Sequence, residues 1–127
     1  MTYSLTIPGR LPDMNDYSDA ERAHWRKAAQ MKRETQDFVG WAIKRQLPGL
    51  RIERPVAITF AWYEPNRRRD KDNIAFAKKF IQDALVEAGV LANDGWRNIV
   101  RTSDSVAVDA SNPRVEVWIE EVGEDVD

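Results

Sequence analysis

The clearest signal in the sequence is the alternation of apolar and polar residues in four segments, with the two-residue period of β-strands. These segments are residues 2–7, 56–63, 99–108 and 115–120. The second is mostly apolar on both faces, so we expect a central strand that is covered on both sides or lies at an interface. In the third segment we expect an irregularity near residues 103–105. The residues that follow it, 109–113, have the composition of a hairpin-type loop.

Two further segments repeat apolar residues at helical spacing. Residues 18–21 have the Ser-x-x-Glu form of a capping box, which predicts a long basic helix that begins near Asp19 and ends before residue 48. The second predicted helix covers residues 72–88, with Gly89 as its C-cap. The order β-α-β-α-β-β predicts an α+β fold, a two-layer sandwich in which two main helices pack on a mixed sheet.

Length and composition bound the protein class. A chain of 127 residues, 43% of them apolar, predicts one domain, which we place at residues 1–122, followed by an acidic tail at 123–127. The chain has no cysteine, which excludes disulfide frameworks, thiolate zinc sites and cysteine nucleophiles. We expect no membrane contact and a cytoplasmic location, because apolar runs are short and no signal segment is recognisable. No glycine-rich phosphate loop occurs, so we expect no nucleotide cofactor.

The net charge of −2 hides a strong segregation of charge along the chain. Residues 22–45 carry seven Lys or Arg and two acids, a local charge of +5, whereas residues 103–127 carry eight acids and one Arg, a local charge of −7. A basic face can therefore coexist with an acidic end, and the total does not exclude a nucleic-acid partner. The alternative is that the basic segment is an ordinary solvated helix face.

The segment with the most chemistry is residues 66–73, Asn-Arg-Arg-Arg-Asp-Lys-Asp-Asn, between the central strand and the second helix. Asp70 and Asp72 point the same way in an extended chain, and hard carboxylate oxygens of this kind suit Mg²⁺. The neighbouring residues 67–69 are arginines, which bind phosphate through bidentate hydrogen bonds, and a helix N-terminus adds further donors. The alternative is that Asp72 merely caps the helix and the arginines solvate a turn.

Two residues farther along the chain extend this candidate site. Asp94 stands in an Asn-Asp-Gly turn and can return beside the first two acids if the chain reverses there; its alternative role is that of a turn residue. On an ideal helix, Lys79 lies about 20° from Asp72 and two turns along the same face, whereas Lys78 is about 240° away. We therefore expect Lys79 to approach the carboxylates and to stabilise transition-state charge. Lys78 should face solvent or a DNA backbone.

These motifs resemble the RusA family of Holliday-junction resolvases. The likeness is carried by Arg-Arg-Arg-Asp-Lys-Asp-Asn at 67–73, by a lysine-bearing helix that ends in Asp-Ala-Leu at 83–85, and by Gly-Val-Leu-Ala-Asn-Asp at 89–94. The opening strand with its proline-rich loop and the closing strand also resemble the family, so the likeness spans nearly the whole chain. The helix is about one turn longer here, and alignment forward from Asn73 would place Phe76 at the lysine position.

The resemblance implies a homodimeric, Mg²⁺-dependent endonuclease that cuts four-way DNA junctions symmetrically in recombination and repair. By resemblance, Asp70, Asp72 and Asp94 match the metal-binding acids, and Lys79 matches the catalytic lysine. The expected DNA contacts are Arg67, Arg68, Arg69, Lys71, Asn73 and Lys78. Two other readings stay open: a structure-specific or nonspecific Mg²⁺-dependent nuclease on branched DNA, and a catalytically idle junction-binding module.

Overall fold

The computed structural model describes residues 1–123, which form four strands and four helices. In chain order these are β1 (Thr2–Pro8), α1 (Met14–Ala23), α2 (Trp25–Gln46), β2 (Val56–Glu64), α3 (Lys71–Ala75), α4 (Lys78–Glu87), β3 (Ile99–Val108) and β4 (Arg114–Glu121). The predicted acidic tail, apart from residue 123, lies outside the described residues. None of the helices in the described part is long and apolar enough to cross a membrane.

The strands form one mixed sheet in the order β1-β4-β2-β3. β2 pairs with β3 in parallel, whereas β4 pairs antiparallel with both β1 and β2. As a result β1, β2 and β3 run in the same direction, and their carboxyl ends lie at the same end of the sheet. The helices pack on one face, which confirms the predicted α+β fold of a mixed sheet with helices against it.

The core lies between that face and the helices. On β4 the alternating Val115, Val117 and Ile119 are buried, as the period of two predicts. Helix α2 contributes Val39 and Ile43 to the same core. Helix α2 contacts β1 and α4, and therefore lies toward the β1 edge of the sheet. Helix α4 is linked to β3 by an ion pair between Lys78 and Asp104.

The first helix begins earlier than predicted, and it is interrupted. Its capping box is formed by Asp13 and Asp16, whose side chains each accept the other's backbone N–H, rather than by residues 18–21. His24 leaves helical geometry and caps α2, with its Nδ1 accepting the Arg26 N–H at 3.0 Å. The predicted single helix is therefore two helices. The His24 imidazole accepts the Arg26 N–H, which in a continuous helix would donate to a backbone carbonyl.

The second predicted helix is also two helices, α3 and α4. The N–H groups of Ala77, Lys79 and Phe80 each donate to a carbonyl three residues back, a tighter winding than the α-helix has. Phe76 and Tyr17 pack at this break, with ring centroids 5.7 Å apart. The end of α4 follows the prediction, since Gly89 takes a positive φ of 80° just after it.

Two predictions about the strands are wrong in detail. The sheet is irregular between Val56 and Ala57, whose partners are Ile99 and Arg101, so the extra residue lies at the start of β3 and not at 103–105. The loop 109–113 does not make a hairpin, because β4 pairs on the other side of β2 from β3. No described element covers the second face of β2, where Thr59 is exposed.

Candidate active site along the groove beside β3

Asp70 lies where the chain turns from β2 into α3. It is the N-cap residue of α3, and its carbonyl accepts the Ile74 N–H at 3.1 Å. Its carboxylate makes no capping hydrogen bond to the helix and lines an open pocket of about 410 Å³, which we call the Asp70 pocket. Arg67 and Lys71 line the same pocket, so the carboxylate has two exposed cations beside it.

Asp72, Asn73 and Arg68 lie in the same turn but are not among the residues that line the pocket. Asp72 is exposed in the first turn of α3, and its Oδ1 accepts the Asn73 N–H at 3.2 Å. The Arg68 side chain is exposed, while its N–H donates to the Asn66 side chain at 3.0 Å and closes the turn. The arginine-rich turn thus presents Arg67 and Arg68 to solvent.

Arg69 differs from its neighbours because its guanidinium is engaged within the protein. It lies 3.2 Å from the Asp13 carboxylate and 2.9 Å from that of Asp16, and it donates to the Leu11 carbonyl at 3.0 Å. Asp13 is buried, so this guanidinium supplies the countercharge that its carboxylate needs. Arg69 thus ties the arginine turn to the start of α1, and it also lines the Asp70 pocket; its role as a DNA contact stays a prediction.

A second open pocket lies farther along β3, and we call it the Asp94 pocket. It also has a volume of about 410 Å³, and it is lined by Asp94, Lys78, Lys79 and Trp96. Lys79 and Asp94 are exposed there. The structure therefore brings the lysine and the turn aspartate singled out by the sequence to the same pocket.

Lys78 faces the sheet, contrary to the prediction that it points away from the site. Its Nζ lies 2.5 Å from Asp104 Oδ2, and it lines the Asp94 pocket together with Lys79. The prediction assumed one ideal helix from Asp72 onward. The tight turn that separates α3 from α4 changes the angular offset, so the extrapolated directions do not hold.

Asp104 lies on β3 between the two pockets and is among the lining residues of neither. Thr102 lines the Asp94 pocket and Val106 lines the Asp70 pocket, and Asp104 lies between them on the same side of β3. Four residues of strand span about 13 Å, which is the approximate separation of the two pockets along β3. We refer to this run, from Asp70 through Asp104 to Asp94, as the β3 groove.

The three acids predicted to hold magnesium lie apart in the structure. Among residues 1–123 no three acidic or histidine side chains form a group that could hold a metal ion. Asp70 and Asp94 line different pockets, so the structure does not gather the three predicted acids. The donor chemistry nevertheless fits Mg²⁺, because the ion takes one or two carboxylates and completes its shell with water and substrate phosphate.

The basic helix α2 packs against α4 and does not line either pocket. Arg33 of α2 donates to both oxygens of Glu87 on α4 and also pairs with Asp37. The hydrogen bond from Arg33 lowers the pKa of Glu87. The positive charge of α2 is therefore partly neutralised by α4.

Sequence reasoning missed Asp104 and left Trp96 unassigned. Asp104 pairs with Phe60 across the sheet, so it occupies an inward-facing position where the pattern leads one to expect an apolar residue. The sequence signal for it was an acidic residue at an inward-facing position of an edge strand. Trp96 is 96% exposed, and the signal for it was its place two residues after Asp94.

The function proposed below rests on the placement of these side chains and on the resemblance in the motifs. Asp70, Asp94 and Lys79 all open onto the β3 groove. Comparisons with known proteins add no family: no protein-family model matches the chain, and no curated protein matches its sequence.

Proposed function

We propose that this protein is a Mg²⁺-dependent endonuclease that resolves four-way DNA junctions by paired, symmetric phosphodiester hydrolysis in recombination or repair. The observation that carries the proposal is the β3 groove, which opens two carboxylates and Lys79 to solvent beside exposed arginines. An open, polar groove suits a polymeric anion better than a small apolar ligand. Because the proposed substrate is cellular DNA, we also propose a cytoplasmic location.

The acids and the lysine would have separate roles. Asp70 and Asp72 are exposed at the start of α3 and would hold Mg²⁺, whereas Asp94 lines the pocket of Lys79. When bound, Mg²⁺ supplies charge neutralisation at the phosphate and activation of a water. Lys79 would stabilise the charge that develops on the phosphate or on the leaving oxygen.

The arginine turn would position the DNA. Arg67, Arg68 and Lys71 are exposed beside Asp70, where they can bind phosphate oxygens without giving up a partner that holds the fold. Asn73 is half-buried in the next turn and can add a neutral donor. Arg69 would act indirectly, by fixing the turn through Asp13.

Symmetric cleavage calls for two active sites related by a two-fold axis, so we propose a homodimer. The helix-free face of the sheet is a surface available for such pairing. It carries small side chains such as Ala57, Thr59 and Ala61 from β2, opposite Trp118 and Glu116 of β4. We propose that this face packs against its own copy, and the mass of the particle in solution tests the assignment.

The direct test is cleavage of a synthetic four-way junction and of a linear duplex of the same sequence, each with Mg²⁺ and with EDTA. Paired nicks in the junction alone, dependent on Mg²⁺, are the expected result. Asp70→Asn should abolish them, whereas Asp19→Asn, which changes an exposed carboxylate on α1, should not. Equal cutting of both substrates would instead identify a nonspecific nuclease.

One observation favours the second candidate, a junction-binding module without catalytic activity. Within the described residues, Asp70, Asp72 and Asp94 do not form one group that could hold a metal ion. A protein that only binds DNA needs no such group. This candidate predicts junction binding without cleavage at any Mg²⁺ concentration. It further predicts that Asp70→Asn leaves binding unchanged or strengthens it, because a carboxylate near a phosphate is removed.

A further inference from the structure

Trp96 is held in an exposed position by a well-defined turn. Its side chain is 96% exposed, the highest value among the large apolar residues of the described chain. The Gly95 carbonyl accepts the N–H groups of both Asn98 and Ile99 at 3.0 Å, and the Asn98 carbonyl accepts the Val56 N–H at 2.8 Å. The turn is therefore fixed to the start of β2, and the indole projects from it with its faces uncovered.

The surroundings of Trp96 are polar and cationic. Trp96 is one of the residues that line the Asp94 pocket, together with Lys78, Lys79 and Thr102. Arg97, the next residue along the turn, is exposed. An indole beside several cations offers a π-face for stacking together with charge that attracts an anion.

We infer that Trp96 is a stacking platform for a nucleobase of the DNA, at the nucleotide next to the phosphate that Lys79 contacts. This inference rests on the proposed function, since it specifies how the same groove takes its substrate. Branched DNA exposes base faces at the crossover, and stacking on an aromatic side chain is a sequence-tolerant way to bind them. The assignment makes Trp96 the residue that favours branched over continuous duplex DNA.

The character of the pocket favours a nucleobase over a protein partner. Aromatic anchors of protein interfaces sit within an apolar centre from which charged residues are depleted. Around Trp96 the lining side chains include two lysines, Gln82 and Asp94 instead. A partner that carries both a flat aromatic ring and a phosphate matches the indole and the lysines together.

The first test measures the affinity of each variant for a four-way junction by fluorescence anisotropy, in EDTA so that no cleavage occurs. Trp96→Ala should weaken binding by about 5- to 150-fold, the range expected for the loss of one stacked base. Trp96→Phe should recover most of that loss. Trp25→Ala is the matched control, because Trp25 is also exposed, at 67%, but lies at the start of α2; it should bind like the wild type.

The second test separates stacking from a general effect of the substitution. Removal of the base at each position beside the crossover gives a set of abasic junctions. At one of these positions the wild type should lose affinity while Trp96→Ala loses none further, so the two changes are not additive. Additive losses at every position would overturn the stacking assignment, even if both proteins bind DNA.

The possible failures are distinguishable. If Trp96→Ala binds and cuts the junction like the wild type, Trp96 is not a base platform, and the nuclease proposal stands. If the wild type neither binds nor cuts DNA, both proposals fail. If Trp96→Ala loses affinity equally for intact and abasic junctions, the indole acts on the fold of the pocket, and the inference is overturned.

Discussion

The carboxylate of Asp104 accepts from Lys78 and from Trp62 at the same time. Lys78 Nζ lies 2.5 Å from Oδ2, and the indole N–H of the buried Trp62 donates to Oδ1 at 2.9 Å. One strand residue thereby satisfies a core aromatic side chain and fixes the lysine at the start of α4. The β3 groove is thus attached to the core at its midpoint.

The bond to Trp62 predicts a difference between two substitutions at position 104. Asp104→Ala leaves the indole N–H without its acceptor and should lower the free energy of unfolding by about 1–3 kcal/mol. Asp104→Asn keeps an acceptor oxygen and loses only the ion pair with Lys78, so its cost should be about 1 kcal/mol or less. Urea unfolding measures both values. Equal costs would show that the indole does not depend on this acceptor.

The tie made by Arg69 predicts that the three arginines of the turn are not equivalent. Arg69→Met removes the countercharge of the buried Asp13 and should cost about 2–3 kcal/mol of stability. Arg68→Met changes an exposed side chain and should stay within about 0.5 kcal/mol of the wild type. Chemical denaturation gives both numbers, and similar values for the two variants would contradict the structural role of Arg69.

The two lysines of α4 should separate in kinetic measurements. Lys79→Ala removes an exposed cation from the Asp94 pocket and should lower the single-turnover cleavage rate about 100-fold or more, with little change in junction affinity. Lys78→Ala breaks the ion pair with Asp104, and its effect on cleavage should be smaller. A larger kinetic loss for Lys78→Ala than for Lys79→Ala would reassign the catalytic lysine.

The pair between Arg33 and Glu87 predicts a pH dependence of stability. Hydrogen bonding from Arg33 lowers the pKa of Glu87 below its ordinary value of 4.5. The stabilisation is therefore fully present above that value and is lost as the pH falls through the lower pKa of the folded state. Glu87→Gln should be less stable than the wild type at pH 7, and the difference should vanish in acid. Glu53→Gln, at another exposed glutamate, is the control for the substitution itself.

The sequence predicted the strands well because each has a local signature. The alternation on β4 and the stop at Pro8 and Gly9 depend only on neighbouring residues, and the structure confirms both. The predicted start of the first helix is wrong because its capping box has aspartate, Asp16, at the third helical position. Glutamate or glutamine is the usual signal there. The break at His24 has no glycine or proline to announce it.

The candidate site was predictable only in part, because its geometry depends on distant residues. The acids and Lys79 stand out through the composition of short segments. The contacts that organise the groove join residues far apart: Lys78 lies 26 positions from Asp104, and Arg69 lies 53 positions from Asp16. No local pattern contains such pairs, so the inward orientation of Lys78 and the structural role of Arg69 could not be read from the sequence.

The most direct test of the central claim is the cleavage of a supercoiled plasmid that extrudes a cruciform, in buffer with Mg²⁺. A dimer that resolves junctions places two nicks across the crossover and should give linear plasmid as its first product. Asp70→Asn and Asp94→Asn should each give none, while Asp19→Asn behaves like the wild type. Plasmid that stays supercoiled with the wild type, or that becomes linear with Asp70→Asn and Asp94→Asn as fast as with the wild type, would contradict the account.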